Sequence, residues 1–134
     1  MLTALLLPLC MSAQTTEPCS LTVRVVDIAM IRGEICVAVY DSAAGLKKKK
    51  AFRKAVVPVT KQEEQFIVQL PKGEYAVMLV QDLNGNHQMD SFLSLPLEPY
   101  GVSNNHGGYP SFQKAKIDLR KDKDIVIQLN NWIR

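Results

Sequence analysis

No stretch of this 134-residue sequence is apolar for the roughly 20 residues that a membrane-spanning helix needs. Cysteine is scarce, three residues in all, and no Cys/His group has the spacing of a zinc site. Neither sign of charge dominates. With 16 basic and 13 acidic side chains, the formal charge of +3 is too mild and too mixed to argue for nucleic acid or an anionic membrane. Also missing are internal repeats and any sustained apolar stripe at the helical period. The lysine-rich stretch 47–50 has room for one helical turn at most. What remains is an ordinary globular composition, 47% apolar and 22% charged, in a chain long enough for one hydrophobic core and too short for two.

The N-terminus carries its own signal. Leu2–Leu9 is a short apolar run, followed by Cys10-Met11-Ser12-Ala13-Gln14 and then by polar residues. That is the form of the hydrophobic region and small-residue cleavage site of a secretory signal peptide, residues 1–13, cut after Ala13. The usual positive charge ahead of the run is missing, which suits a true start upstream of Met1. A lipid anchor on Cys10 would want a small residue where Leu9 stands. The expectation is a secreted or periplasmic protein whose folded domain spans residues 20–134. Its compartment would permit a disulfide between Cys19 and Cys36. Residue parity opposes one: Cys19 alternates in step with Leu21, Val23 and Val25, whereas Cys36 alternates out of step with Ile35, Val37 and Val39.

Period-two patterning predicts strands almost throughout. Ser20–Asp27 and Glu34–Asp41 read as an antiparallel hairpin across Gly33. After the basic loop Gly45–Lys54 come a short segment, Ala55–Val59, and an alternating strand, Glu64–Leu70. Pro71-Lys72-Gly73 turns into Glu74–Gln81, which is apolar on both faces and so belongs in the middle of a sheet. Lys116–Leu119 and Asp124–Leu129 read as a final pair. About seven short strands with regular turns predict an all-β fold, a single β-sandwich.

One long excursion breaks this rhythm, from Asp82 to Phe112. It is rich in Gly, Pro, Asn and Asp, yet carries enough apolar residues to pack down, and loops of this length are often functional. Its opening, DLNGNHQMD, places Asp82, Asn84, Asn86 and Asp90 at the first, third, fifth and ninth positions of a calcium-type loop. Gln88, at the seventh, can offer its backbone carbonyl. Every candidate ligand is an oxygen, which favours calcium; His87 is the one residue that would draw a transition metal. Leu93 stands where an EF-hand has its bidentate carboxylate, and His87 where it has glycine. With two charged ligands, and Glu98 as a further candidate, the affinity expected is about 10⁻⁴–10⁻³ M. The competing reading is a plain turn, because Asn84-Gly85 is a strong hairpin signal and Asn and Asp bond their own backbone.

The segments LTVRVVDI, GEICVAVYDS, VQLPKGEYAVMLVQDLNGNHQMD, PLEPYGVSNN and GYPSFQKAKIDL, in that order, resemble the exported bacterial family known as domain of unknown function 2141. The resemblance runs from about Leu21 to Leu129. It implies an immunoglobulin-like or prealbumin-like sandwich and no established activity. It also implies a metal-binding loop at Asp82, Asn84, Asn86 and Asp90, with His87 departing from the family's glycine.

Other constellations are weaker. Ser103 and His106 lie close in sequence, but Asn105 breaks the nucleophile-elbow pattern and no helix follows. Asp118, Asp122 and Asp124 read as a solvated turn, and the lysines 47–50 as a solvated loop or a docking patch for an anionic glycan or a protein. Tyr100, Tyr109 and Trp132 are candidates for a recognition surface or for packing. No catalytic residue is expected, and an enzyme of unfamiliar type is the least favoured reading. The favoured one is a monomeric binding or accessory module of the cell envelope with a weak calcium loop at 82–90. The alternative is a metal-free structural or interaction protein.

Overall fold

Cys19, Leu21, Val23 and Val25 are each at most 4% exposed, while Ser20, Thr22, Arg24 and Val26 between them reach solvent. Alternation of this kind, in β-branched residues, makes a strand with one face in a core. This strand is β1 (Cys19–Val26) of a computed structural model that describes residues 17–83, 98–106 and 110–129. The elements that follow are β2 (Glu34–Tyr40), α1 (Ala43–Lys47), β3 (Arg53–Pro58), β4 (Glu64–Leu70) and β5 (Gly73–Asp82). After the excursion come β6 (Tyr100–Val102), a 3-10 turn at Ser103–Asn105, α2 (Phe112–Ala115), β7 (Ile117–Leu119) and β8 (Lys123–Gln128). The expected signal segment 1–13 and the expected ligands Asn84, Asn86, Gln88 and Asp90 lie outside the described residues, as do Tyr109 and Trp132.

The strands form the expected sandwich. One sheet has the order β4-β1-β8, with β1 antiparallel to β4 and parallel to β8. The other has the order β3-β2-β5-β6, with β7 pairing the first residues of β5. Between them lies one core, in which Leu21, Val23 and Val25 of β1 meet Ile35, Val37 and Val39 of β2 and Val77 and Leu79 of β5. A second, smaller core covers the outer face of the second sheet, where Leu46 of α1 and Phe112 and Ala115 of α2 pack on Ala38, Tyr40, Ala76, Met78 and Val102. Both faces of β5 are therefore buried, as its unbroken apolar sequence predicts.

Two expected hairpins do not exist. β1 and β2 belong to different sheets, because the connection Asp27–Gly33 crosses the core rather than turning tightly. It drops Ile28 into the core at 2% exposure and hands its N–H to the Gln62 carbonyl, 3.2 Å away. β7 and β8 likewise part company, β7 to β5 and β8 to β1. Nor is the excursion all loop, since Tyr100–Val102 adds to the edge of β5, a piece too short to show a period.

Asparagines close the sandwich beside β8. Asn104 and Asn105 sit in the left-handed region, with φ of 65° and 50°, where Asn is tolerated better than most residues. Asn105 then acts as a strand would: its amide donates to the Val126 carbonyl (3.1 Å) and its Oδ1 accepts from the Gln128 N–H (2.8 Å). Gly101 makes the close approach possible, since a Cβ there would stand 2.5 Å from the Gln128 oxygen. Gly101→Ala is expected to cost about 1–3 kcal/mol through overpacking. A urea melt reads this as a lower midpoint, and an unchanged midpoint would mean that β6 and β8 can separate freely.

Candidate metal site at the end of the central strand

β5 ends on Asp82, the residue that opens the candidate loop. Its Cα partner on β2 is Glu34, so two carboxylates stand directly across the ladder from each other. Asp82 is 2% exposed and Glu34 half-buried. Alternation puts both on the same side of the sheet as Cys36 and Val80, away from the inter-sheet core. A third carboxylate arrives from the far end of the excursion, where Glu98 Oε2 accepts the Leu83 N–H at 2.9 Å. The Gln81 N–H donates to the Pro99 carbonyl, also at 2.9 Å, so both ends of the excursion are tied together at its root.

The backbone beneath is packed so closely that Gly33 admits no side chain. Its φ is +72°, and a Cβ would lie 2.3 Å from the Asp82 carbonyl oxygen. Gln81, fully buried, reaches the other way and donates from Nε2 to the carbonyls of Met30 (2.6 Å) and Arg32 (2.9 Å). Its Oε1 is buried with no hydrogen-bond partner. A polar residue ending the run EYAVMLVQ thus locks the β1–β2 connection to the root of the loop.

Of the five expected ligands, the described residues include only Asp82. Among the described residues no three or more His, Cys, Asp or Glu side chains converge as a metal set. Asp82, Glu34 and Glu98 nonetheless each lie close enough to the Cys36 thiol for it to register their charge. Burial, and after it the charges of Asp82, Glu34 and Glu98, push that thiol from an ordinary 9.0 up to about 11. The thiol is protonated at neutral pH and so is a poor nucleophile and a poor soft-metal ligand. All the donors here are oxygens, which suits a hard cation. Glu34 escapes a reading by spacing because it is remote in sequence and arrives only through the β2–β5 register.

Other candidate residues have structural work. Ser103 is fully buried, and its hydroxyl accepts the Val77 N–H (3.0 Å) and donates to the Ala115 carbonyl (2.6 Å). It fills the gap in the ladder between the β6 and β7 pairings along β5. The His106 Nε2 accepts the Ser111 N–H at 3.4 Å. Asp118 pairs with Arg120 at 2.9 Å and Asp122 accepts the Ser20 N–H at 2.8 Å, both at the surface. Cys19 and Cys36 are free thiols, Cys19 in the inter-sheet core and Cys36 outside it, as parity requires.

Two measurements check this. Ser103→Ala leaves a buried N–H and a buried carbonyl without their partner and is expected to cost about 1–3 kcal/mol in chemical denaturation. For Cys36 the folded thiol holds its proton where the unfolded one has lost it. Its contribution is therefore complete below pH 9.0 and declines as pH rises toward about 11. Stability measured across that window should fall less steeply in Cys36→Ala than in the parent; parallel curves would refute the assignment.

No curated protein and no solved structure matches the chain. Residues 23–128 match the profile of the family described as "Uncharacterized protein conserved in bacteria" (DUF2141). The match runs from within β1 to the last residue of β8 and takes in both sheets and the excursion. On that span the chain belongs to this bacterial family of unknown function.

Proposed function

We propose that the domain is an exported binding or accessory module of the bacterial envelope, in which a calcium ion held by the Asp82–Asp90 loop steadies the excursion between β5 and β6. The observation that supports it is the facing pair Glu34 and Asp82 at the end of the central strand, with Asp82 almost fully buried. Like charges directly opposed on a sheet repel. A divalent cation between them would turn that repulsion into attraction. Asp82 would supply one ligand. Asn84, Asn86, the Gln88 carbonyl and Asp90 would supply the others, in the pattern of a calcium loop without its twelfth-position acid. Residues 1–13 would be removed on export, leaving a mature chain that begins at Gln14. Among the described residues no helix is long and apolar enough to cross a membrane.

The metal-free reading has an observation of its own. The bonds Leu83 N–H to Glu98 and Gln81 N–H to Pro99 already close the root of the excursion without an ion. A calcium titration separates the two. For a site of ~0.1 mM affinity, ~2 mM calcium adds about 1.8 kcal/mol of stability. At this domain size that is a rise of several degrees in Tm. The rise should vanish in Asp82→Asn and in Asp90→Ala. A Tm indifferent to calcium, with no ion retained in native mass spectrometry, sinks the calcium loop. N-terminal sequencing of the exported chain tests the leader, with Gln14 as the expected first residue.

A further inference from the structure

The near-neutral composition conceals a separation of charge along the sandwich. One end is formed where β2, β4 and β7 finish and β1, β5 and β8 begin, as the pairs Cys19–Leu70, Leu21–Lys123, Tyr40–Ala76 and Gly73–Leu119 show. To that end the topology brings the lysine run 47–50, Lys72 of the β4–β5 turn, and Arg120 and Lys121 of the β7–β8 turn. The opposite end carries Asp27, Glu34, Glu63, Glu64, Asp82 and Glu98 against the fewer cations Arg24, Arg32 and Lys61. Three of the cations, Lys72, Arg120 and Lys121, border an open cleft of 560 Å³ that Glu17, Cys19 and Asp122 also line.

The ion-pairing around this cleft is incomplete. Arg120 is held through Nε by Asp118 and keeps its other guanidinium N–H groups, and Asp122 is engaged by the Ser20 N–H. Lys72 and Lys121 have no ion pair or hydrogen bond among the described residues, and neither has Glu17. Two free ammonium groups and a guanidinium edge call for an anion. The free carboxylate beside them calls for hydrogen-bond donors on the same ligand, and would repel a bare polyanion. The cleft is open to solvent, and its 560 Å³ falls within the roughly 300–1,000 Å³ of ligand pockets.

We propose that this cleft binds an acidic saccharide, its carboxylate or sulfate on Lys72, Lys121 and Arg120 and its hydroxyls on Glu17. The site is at the opposite end from the calcium loop and does not depend on it. The surplus of positive charge around the lysine run steers the ligand in, and the association rate falls with salt.

The test is a titration of the isotope-labelled mature chain, followed by amide NMR, with trigalacturonate as the acidic probe and neutral galactotriose, tripolyphosphate and phosphatidylglycerol vesicles beside it. Trigalacturonate should move the amides of Glu17, Cys19, Lys72 and Arg120–Asp122. Lys72→Ala with Lys121→Ala should weaken it about ten-fold, roughly 1.4 kcal/mol. Lys61→Ala, at the acidic end, should leave it unchanged. All three side chains are exposed, so folding and the calcium response serve as controls in every variant. Silence at those amides at saturating trigalacturonate overturns the proposal. So does equal or tighter binding of tripolyphosphate or of vesicles at the same residues, which would make the end a general polyanion or membrane surface. Loss in Lys61→Ala equal to that in the cleft variants would reduce the effect to net charge.

Discussion

Burial of β5 on both faces is the constraint around which the rest of the molecule is arranged. A strand reading Tyr75-Ala76-Val77-Met78-Leu79-Val80 has no polar side to give to water, so two separate cores must form on it. One comes from the opposing sheet. The other is assembled from two short helices that would not persist alone, five and four residues long, and that gain their stability from Leu46, Phe112 and Ala115. The edge opposite β2 must also be paired, and it is paired piecemeal by β6, by the Ser103 hydroxyl and by β7. Residues such as Ser103 and Asn105, polar and set in a segment rich in turn formers, are there to complete ladders that the chain is too short to complete with strands.

Much of this is legible in the residues. Alternation at Leu21, Val23 and Val25 and its absence in β5 place one strand at a single core and the other between two. Parity separates Cys19 from Cys36. What the residues do not reveal is which strand pairs with which. The β1–β2 hairpin is a reasonable reading of two Val-rich segments across a glycine, but Gly33 serves close packing against Asp82, and Ile28, a single apolar residue in the connection, carries the chain to the other sheet. The candidate site suffers from the same limit. Asp82 is visible as the head of an oxygen-rich loop and Glu98 as a further candidate beyond it, whereas Glu34 joins them only through the β2–β5 register, which has no local signature. The basic cleft is harder still, because Lys72 and Lys121 are unremarkable turn lysines until the sandwich brings their turns together.

The two ends of the sandwich therefore differ in kind. One gathers carboxylates around the root of a long excursion, beside a thiol whose pKa is raised first by burial and then by their charges. The other gathers cations around a cleft next to the first described residues.

The parallel pairing of β1 with β8 bears on how the chain comes to be folded at all. The Ser20 N–H waits for a carboxylate 102 residues further on, and β1 stays an edge of a two-stranded sheet until the last strand has been made. Contacts so distant in sequence form slowly. A nascent chain with this topology cannot close its core early: the sheet that holds β1 is completed only once β8 has been made, so the two faces of the core lock together late.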